Sequence, residues 1–425
     1  MTPIAIPRAG TRHLQRGASS LVIVAILLVA MALIVAFTNR SIILEQKTAA
    51  NQYRSAIAFE AAEAGLDWAT AMLNKPEYVN NSCGTSTTAA DGRFRNRYLT
   101  IEAASAKVTP ANSGAVVAAC AYNQQAGGAL SCSCPAAGST PTAAAPTTTS
   151  GFTPGFAVAF VTNPITSTVD LVSYGCTSVI NGTTCGGDAQ AVIRVSLGQV
   201  SGLSTPPASP LTARGNVSIG NAALGVINPD PNTNGVTINA GGNIDAASAR
   251  LTTIPGTPPK YSLVGNDSSL ASQTEAGMFS TFFGMSKDSY KNLPATTMIS
   301  CPSGGCTESN LKAAYDAGAR QIWIDGNLSM NSNMVIGSAN DPFVMVVDGS
   351  VDMRGDLQLF SVIYSTAITW DNTGGGSALL NGAAISEGNY TGNGTPDYYY
   401  DPNVMSRIRS SATSFVRVPG SWRDF

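Results

Sequence analysis

The sequence predicts an α+β head carried on one long N-terminal α-helix and followed by a β-rich, β-solenoid-like C-terminal domain. Three observations predict it. An uncharged apolar run from Leu21 to Phe37 passes without a break into helix-forming residues that reach Asn74. Short apolar runs separated by Gly and Pro then fill residues 75–200, and beyond a proline-rich break a Gly-polar-apolar-polar-apolar pattern recurs from Gly215 to Leu359.

The first element is a basic leader, residues 1–17, that ends in Arg16-Gly17 at the edge of the apolar run. An ordinary secretory signal is cut after its apolar region, at small residues in an A-x-A pattern, so that the region is lost. No such pattern follows Phe37, and the Gly precedes the run, so cutting at Gly17 keeps the run in the mature protein. The junction Arg16-Gly17-Ala18-Ser19-Ser20 resembles a type IV prepilin cleavage site. About 20 residues at about 1.5 Å each span a hydrocarbon layer, so residues 18–38 are the transmembrane part of the helix. Arg8, Arg12 and Arg16 precede the span, and Arg40 and Lys47 follow it with Glu45 between them, which leaves the leader in the cytoplasm. Removing the leader removes three of the 24 Lys+Arg and the sole histidine, His13. The remainder has 21 basic and 26 acidic groups, a formal charge of −5, and no imidazole. Ser-His-Asp, Cys-His and His-based metal sites are therefore excluded from the processed chain.

The amphipathic part of the helix covers residues 39–74. Ile42, Ala49, Tyr53, Ala56, Phe59, Ala62, Leu66, Ala69 and Leu73 fall mainly at spacings of three and four, while Gln46, Lys47, Arg54, Glu60, Glu63 and Asp67 take the wetter side. Pro76 is the first proline after Pro7. One helix of about 57 residues is about 85 Å long. The stretch QRGASSLVIVAILLVAMALI followed by LEQKTAANQYRSAIAFEAAEAGLDWA resembles the N-terminal region of PilX-type minor pilins, in which the motif carried here by Ala58-Phe59-Glu60-Ala61-Ala62-Glu63-Ala64-Gly65-Leu66 recurs on the long helix. The resemblance covers about residues 14–73. It implies cleavage by prepilin peptidase after Gly17, N-methylation of Ala18, residence in the bacterial inner membrane with the C-terminus periplasmic, and incorporation with other minor and major pilins into an extracellular type IV pilus or related filament.

One position departs from the family. Pilins usually have Glu at the fifth mature position, and here it is Val22. In family terms that carboxylate meets the N-terminal amine of a neighbouring subunit in an apolar filament core, where an unpaired ion costs several kcal/mol. A subunit without it is poorly suited to addition beneath others. A terminal subunit, with none above it, loses nothing, so Val22 points to the filament tip; the competing reading is that Val simply fits a lipid-facing site and carries no information on rank in the filament.

Charged residues make up only 12% of the chain, against a usual quarter, so neutral polar groups cover the surface. No basic run exists to bind nucleic acid by phosphate neutralisation. All eight cysteines, Cys83, Cys120, Cys132, Cys134, Cys176, Cys185, Cys301 and Cys306, follow the span, and an even number in an oxidising compartment favours disulfides. Cys176 with Cys185 and Cys301 with Cys306 suit local bridges. The first four leave three connectivities open. No repeated C-x-x-C pattern supports zinc.

Residues 75–200 read as a pilin-like α/β head, with strand-like runs at 98–101, 155–161, 169–174 and 189–197 and a low-complexity loop at 135–150. Residues 201–210, with three prolines, read as a linker. Residues 211–425 read as the solenoid-like domain. Its repeat units begin at Gly215, Gly242, Gly326, Gly349 and Gly355; apolar residues at period two face a stacked core, and the offsets of the first pair and the third and fourth suit one coil. A partly helical insertion interrupts it at about 251–320, with helical segments at 273–283 and 309–319. The stretch from WIDGNLSM to the terminal VPGSWRDF also resembles C-terminal regions attached to PilX-type pilins.

Two chemistries are candidates on this scaffold. Asp230, Asn232 and Asn234 begin like a calcium loop, but the twelfth position is Gly241 and not a bidentate acid, so an Asx-rich turn competes with the metal site. Asp325, Asp348, Asp352 and Asp356 are the carboxylates a polysaccharide-cleaving β-helix would need, yet acids also cap repeat corners. The sequence therefore predicts a non-enzymatic minor pilin without a cofactor, involved in pilus assembly. The rival readings are a pilus-borne adhesin for a surface ligand and a polysaccharide-acting enzyme.

Overall fold

The computed structural model describes residues 16–425 except 104, 124–128, 144–152, 179, 182–183, 188, 221–222, 374–375 and 425. The leader residues 1–15, with Arg8, Arg12 and His13, and part of the low-complexity loop lie outside the described residues. The chain forms two compact units, Met1–Ala56 and Ile57–Phe425. A long N-terminal helix is followed by a β-rich region. The helix, α1, is Arg16–Asn74, and the boundary between the units falls within it.

In the second unit the last turns of α1 pack on an antiparallel sheet. Its strands run in the order Thr413–Arg417, Gln190–Ser201, Thr168–Cys176, Gly155–Thr162, Val116–Asn123 and Ala129–Ser133, and Arg423–Asp424 pairs with Gln190–Ser201. Three of the four strand-like runs read from the sequence are in this sheet. The run at 98–101 instead forms Leu99–Ile101, which pairs with Val108–Pro110. The two strands that the C-terminus contributes, Thr413–Arg417 and Arg423–Asp424, differ from the expectation that all of 211–425 belongs with the repeat: they extend the sheet of the head.

The remaining β-structure is one stack in which every pairing is parallel. Side chains line up in three ladders. Leu263, Ile238, Leu211, Ala384, Ile363, Met345 and Ile322 form the first. Ile244, Val217, Tyr390, Ile368, Val351, Leu328 and Cys306 form the second. Leu251, Val226, Tyr398, Leu380, Leu359 and Ile336 form the third. Most of these side chains are buried in one apolar cluster, as the period-two pattern requires. The repeat explains the register: Val217, Ile244, Leu328 and Val351 hold equivalent places in the second ladder. The fifth unit does not, because Leu359 belongs to the third ladder and Gly355 opens a different corner.

The asparagines of the repeat tie adjacent segments of the stack together. The Oδ1 of Asn216 accepts the N–H of Asn243 at 2.9 Å, Asn389 does the same for Asn216 at 2.8 Å, and Asn327 does so for Ser350 at 2.9 Å. A corner backbone donor without such a partner would be left unpaired in the stack.

The order of the stack is not the order of the chain. Strand Leu211–Ala213 pairs with Ile238–Ala240 on one side and with Leu379–Ser386 on the other, so the first strand of the stack sits in its interior. The chain grows away from it to Leu263–Val264, and later strands run from Thr296–Ser300 back to the first coil. The segment expected as an insertion, 251–320, thus carries strands as well as helices, including Glu275–Phe283 and Glu308–Asp316. The helix Pro402–Ser411 was not expected. Residues 201–210 are not a free linker either. Leu203 is fully buried, and the N–H of Thr205 bonds to the carbonyl of Phe282 at 2.9 Å.

Candidate functional site: the long helix and its seat

In the first unit, α1 presents only apolar side chains between Leu21 and Phe37, and every large one is more than half exposed. The helix is long and apolar enough to cross a membrane by length and composition. Val22, 58% exposed, sits in this band without a charged neighbour on the preceding turn. Gly17 and Ala18 lie in the first turn of α1, with side-chain surroundings outside the described residues.

In the second unit the helix is seated by its small residues. Ala58, Ala62, Leu66, Ala69 and Leu73 are fully or almost fully buried. Gly175 on the sheet passes so close beneath them that a Cβ there would lie 2.1 Å from the carbonyl oxygen of Ala58 and 2.3 Å from the nitrogen of Ala62. From the helix side, a Cβ on Gly65 would lie 2.2 Å from the Ser173 hydroxyl and 3.0 Å from the Phe156 ring. The motif Ala58–Leu66 is therefore the contact by which backbone meets backbone. Trp68 closes the seat edge-on to Phe94 and tilted against Phe156.

The C-terminal segment holds the end of α1. Asn74 donates its Nδ2 to the carbonyl of Phe415 and accepts the Phe415 N–H on its Oδ1, both at 2.8 Å and buried. The amide thus reproduces a strand pairing. Arg417 pairs with Asp67 on the exposed flank of the helix, and Trp422 meets Phe59 edge-on. Arg95 is buried beside them. It donates from Nε to the carbonyl of Leu73 at 2.8 Å, the last turn of α1, and from its other nitrogens to the hydroxyl and carbonyl of Thr413 at 3.1 and 2.8 Å. Burial, with Arg93 nearby, pushes its guanidinium down to about 9.

The cysteines pair as Cys83–Cys134, Cys120–Cys132, Cys176–Cys185 and Cys301–Cys306. The two local bridges coincide with the sequence reading, and the first four cysteines take one of the three connectivities left open. Cys120–Cys132 crosses the antiparallel pair Val116–Asn123 and Ala129–Ser133, where these residues face each other.

The other flagged residues have structural occupations. Asp230 Oδ1 caps a short 3-10 turn by accepting the N–H of Asn232 at 2.9 Å and its Nδ2 at 3.0 Å, and Asn234 adopts the left-handed conformation that ends the turn. This is an Asx turn. Among the described residues no group of three or more His, Cys, Asp or Glu is arranged to hold a metal ion. Asp325 lies 3.6 Å from Lys291, Asp348 3.6 Å from Lys287 and Asp352 3.1 Å from Arg354, while Asp356 accepts the amide of Asn372 at 3.3 Å. The structure does not bring these four together. The lysines belong to a short helix, Lys287–Lys291, and with the pair Lys287–Glu387 at 2.7 Å they fasten it to the parallel stack.

Sequence reasoning missed Asn74, Arg95, Gly175 and the C-terminal strands. An Asn at the end of a helix and an Arg in the polar run Arg93–Tyr98 carry no partner information across separations of 341 and 318 residues. The family-like ending VPGSWRDF was the available signal.

Residues 16–67, the first part of α1 together with the seat motif, match the PilX N-terminal family model. No curated protein matches the chain. A solved structure, the competence-associated pilin ComZ from Thermus thermophilus, aligns over 88% of this chain and 97% of its own, at 12% sequence identity and a TM-score of 0.23.

Proposed function

We propose that the chain is a minor pilin of a type IV pilus machine. It is anchored through α1 first in the inner membrane, with its C-terminus periplasmic, and then in the filament. The observation that carries this reading is the PilX-type segment, residues 16–67, whose large apolar side chains from Leu21 to Phe37 are more than half exposed and whose small-residue half is seated on a sheet. An apolar stripe of that length needs lipid or neighbouring helices around it. Prepilin peptidase cuts after Gly17 and Ala18 is methylated, so that Val22 becomes the fifth residue. Its missing carboxylate suits a subunit with none above it, at or near the tip. We read the parallel stack as a β-solenoid with 23 to 27 residues per coil, as the pairings Leu328 with Val351 and Val217 with Ile244 support. On this reading it is displayed at the filament end, and the protein works in assembly and not in catalysis.

Immunogold labelling of sheared filaments tests the reading. Label at filament ends is the expected result; label along the shaft refutes the tip position, and no label on filaments refutes the pilin role. Val22→Glu sharpens it, since an acid whose partner amine is missing should not increase incorporation. A clear rise of the variant in sheared pili removes the tip argument.

A further inference from the structure

A cleft of about 590 Å³ opens where the head meets the parallel stack and the helix Pro402–Ser411. Its wall carries Tyr78, Asn96, Asn340 and Ser410, and its floor carries Arg93 and Asp341. The charges on this floor do not balance. Arg93 is 8% exposed, and the hydrogen bond it makes among the described residues is a long one, from its guanidinium to the carbonyl of Gly318 at 3.3 Å. Asp341 lies 3.6 Å from it, beyond hydrogen-bond distance.

Asp341 is already engaged by another cation. Arg320 donates its Nε to Asp341 Oδ1 at 2.7 Å and its second nitrogen to the other carboxylate oxygen, a bidentate fork. Behind Arg93 a void of about 10 Å³, room for one water, is lined by Arg93, Arg95 and Arg320 together. Among the described residues Arg95 donates to carbonyl and hydroxyl oxygens and lies over the Phe415 ring, with no carboxylate bonded to it. Three guanidiniums thus share one carboxylate. A guanidinium does not shed its proton in a protein, so the excess among the described residues attracts an anion. The side of Arg93 that faces the cleft is where solvent delivers one.

We infer that the cleft is a binding site for a carboxylate-bearing, hydroxyl-rich ligand of the kind an acidic saccharide presents. Its carboxylate sits on Arg93, and its hydroxyls bond the amides of Asn96 and Asn340. Those amides have both donors and acceptors, which suits hydroxyls, and the Tyr78 ring offers an apolar wall to a sugar face. This site is independent of the pilin assignment, which rests on α1.

Calorimetric titration of the full-length protein in detergent, at constant ionic strength, tests the inference with sodium glucuronate and with glucose as the neutral counterpart. Saturable binding of glucuronate and none of glucose is expected. Arg93→Gln should weaken binding about tenfold or more, as should Asn340→Asp, which adds a like charge at an exposed position and leaves the buried arginines in place. Because Asn340 is exposed, the second variant tests the site even if the first fails to fold. No saturable glucuronate binding, equal binding of glucose, or an unchanged affinity in Asn340→Asp overturns the inference. So does chloride competing as well as glucuronate, which would reduce the site to a counter-ion position. Pilus incorporation of Asn340→Asp should match the parent, so a failed titration leaves the pilin reading untouched.

Discussion

Adding a single methyl group at Gly175 tests whether the seat of α1 is held by backbone approach. In Gly175→Ala the new Cβ meets the carbonyl oxygen of Ala58 at 2.1 Å and the nitrogen and Cα of Ala62 at 2.3 and 2.8 Å. All three are main-chain atoms, so no side chain can swing aside. Restoring an ordinary separation moves helix and sheet apart by about 1.3 Å and opens gaps along Ala58, Ala62 and Leu66, which places the cost near the upper end of overpacking, about 3 kcal/mol. For a unit of this size that lowers the unfolding midpoint by about 4 °C. Circular dichroism melting of the full-length protein in detergent reads it, with Gly304→Ala as control, since a Cβ at Gly304 has no neighbour within 4 Å. The control should be neutral or slightly stabilising. Equal midpoints for the two variants would refute the backbone-contact account of the motif.

Gly65→Ala should be milder, because its closest clash is the rotatable Ser173 hydroxyl and the helix gains about 1 kcal/mol in propensity; Ser173→Ala should rescue it, measured as positive coupling in a double-mutant cycle. Asn74→Ala leaves the buried N–H and carbonyl of Phe415 without their partner and should cost about 1–3 kcal/mol, with faster amide exchange confined first to Thr413–Arg417. Free-thiol titration of the unreduced protein should approach zero, and removing Cys83–Cys134, 51 residues apart, should destabilise more than removing Cys301–Cys306, 5 apart, by about 2 kcal/mol on loop entropy. At Asp341 burial works against the charge, but the hydrogen bonds and charge of Arg320 outweigh it and hold the carboxyl below 3.8. A depressed folded value means stability present above the unfolded value and lost as pH falls through the folded one. Acid unfolding below about pH 4 should therefore be blunted in Asp341→Asn, read by fluorescence midpoints against pH.

The long helix was legible because its signals are local: an unbroken apolar run, three-and-four spacing and a first proline at Pro76. The β-rich C-terminal region was legible because Val217, Ile244, Leu328 and Val351 repeat one environment in its parallel pairings. The fifth unit misled for the same reason, since Leu357 and Leu359 satisfy the period-two pattern on any face of the stack. Strand order was not legible. Parallel pairing at Leu211 accepts Ala384 as readily as Ile238, and nothing in either strand records which neighbour is adjacent in the chain. The seat was half legible, as small residues on α1 announce a close approach while their partner Gly175 looks like any strand glycine. The charge imbalance around Arg93 was hidden because Arg93, Arg320 and Asp341 are assembled only by the fold.

The return of Thr413–Arg417 to Gln190–Ser201 has a temporal meaning. In a chain made from its N-terminus, α1 and most of its sheet appear early, yet Asn74, Arg95 and the edge of Gln190–Ser201 wait for residues that come last. Closing a loop of 341 residues adds an entropic barrier that local pairing does not face. The interior strand waits in the same way for Leu379–Ser386. Truncated or stalled chains therefore leave one side of Gln190–Ser201 unpaired and the helix end loosely held, whereas in the finished chain Thr413–Arg417 fills that side and Asn74 is bonded. Completion of the polypeptide is thereby written into how firmly the end of α1 is held.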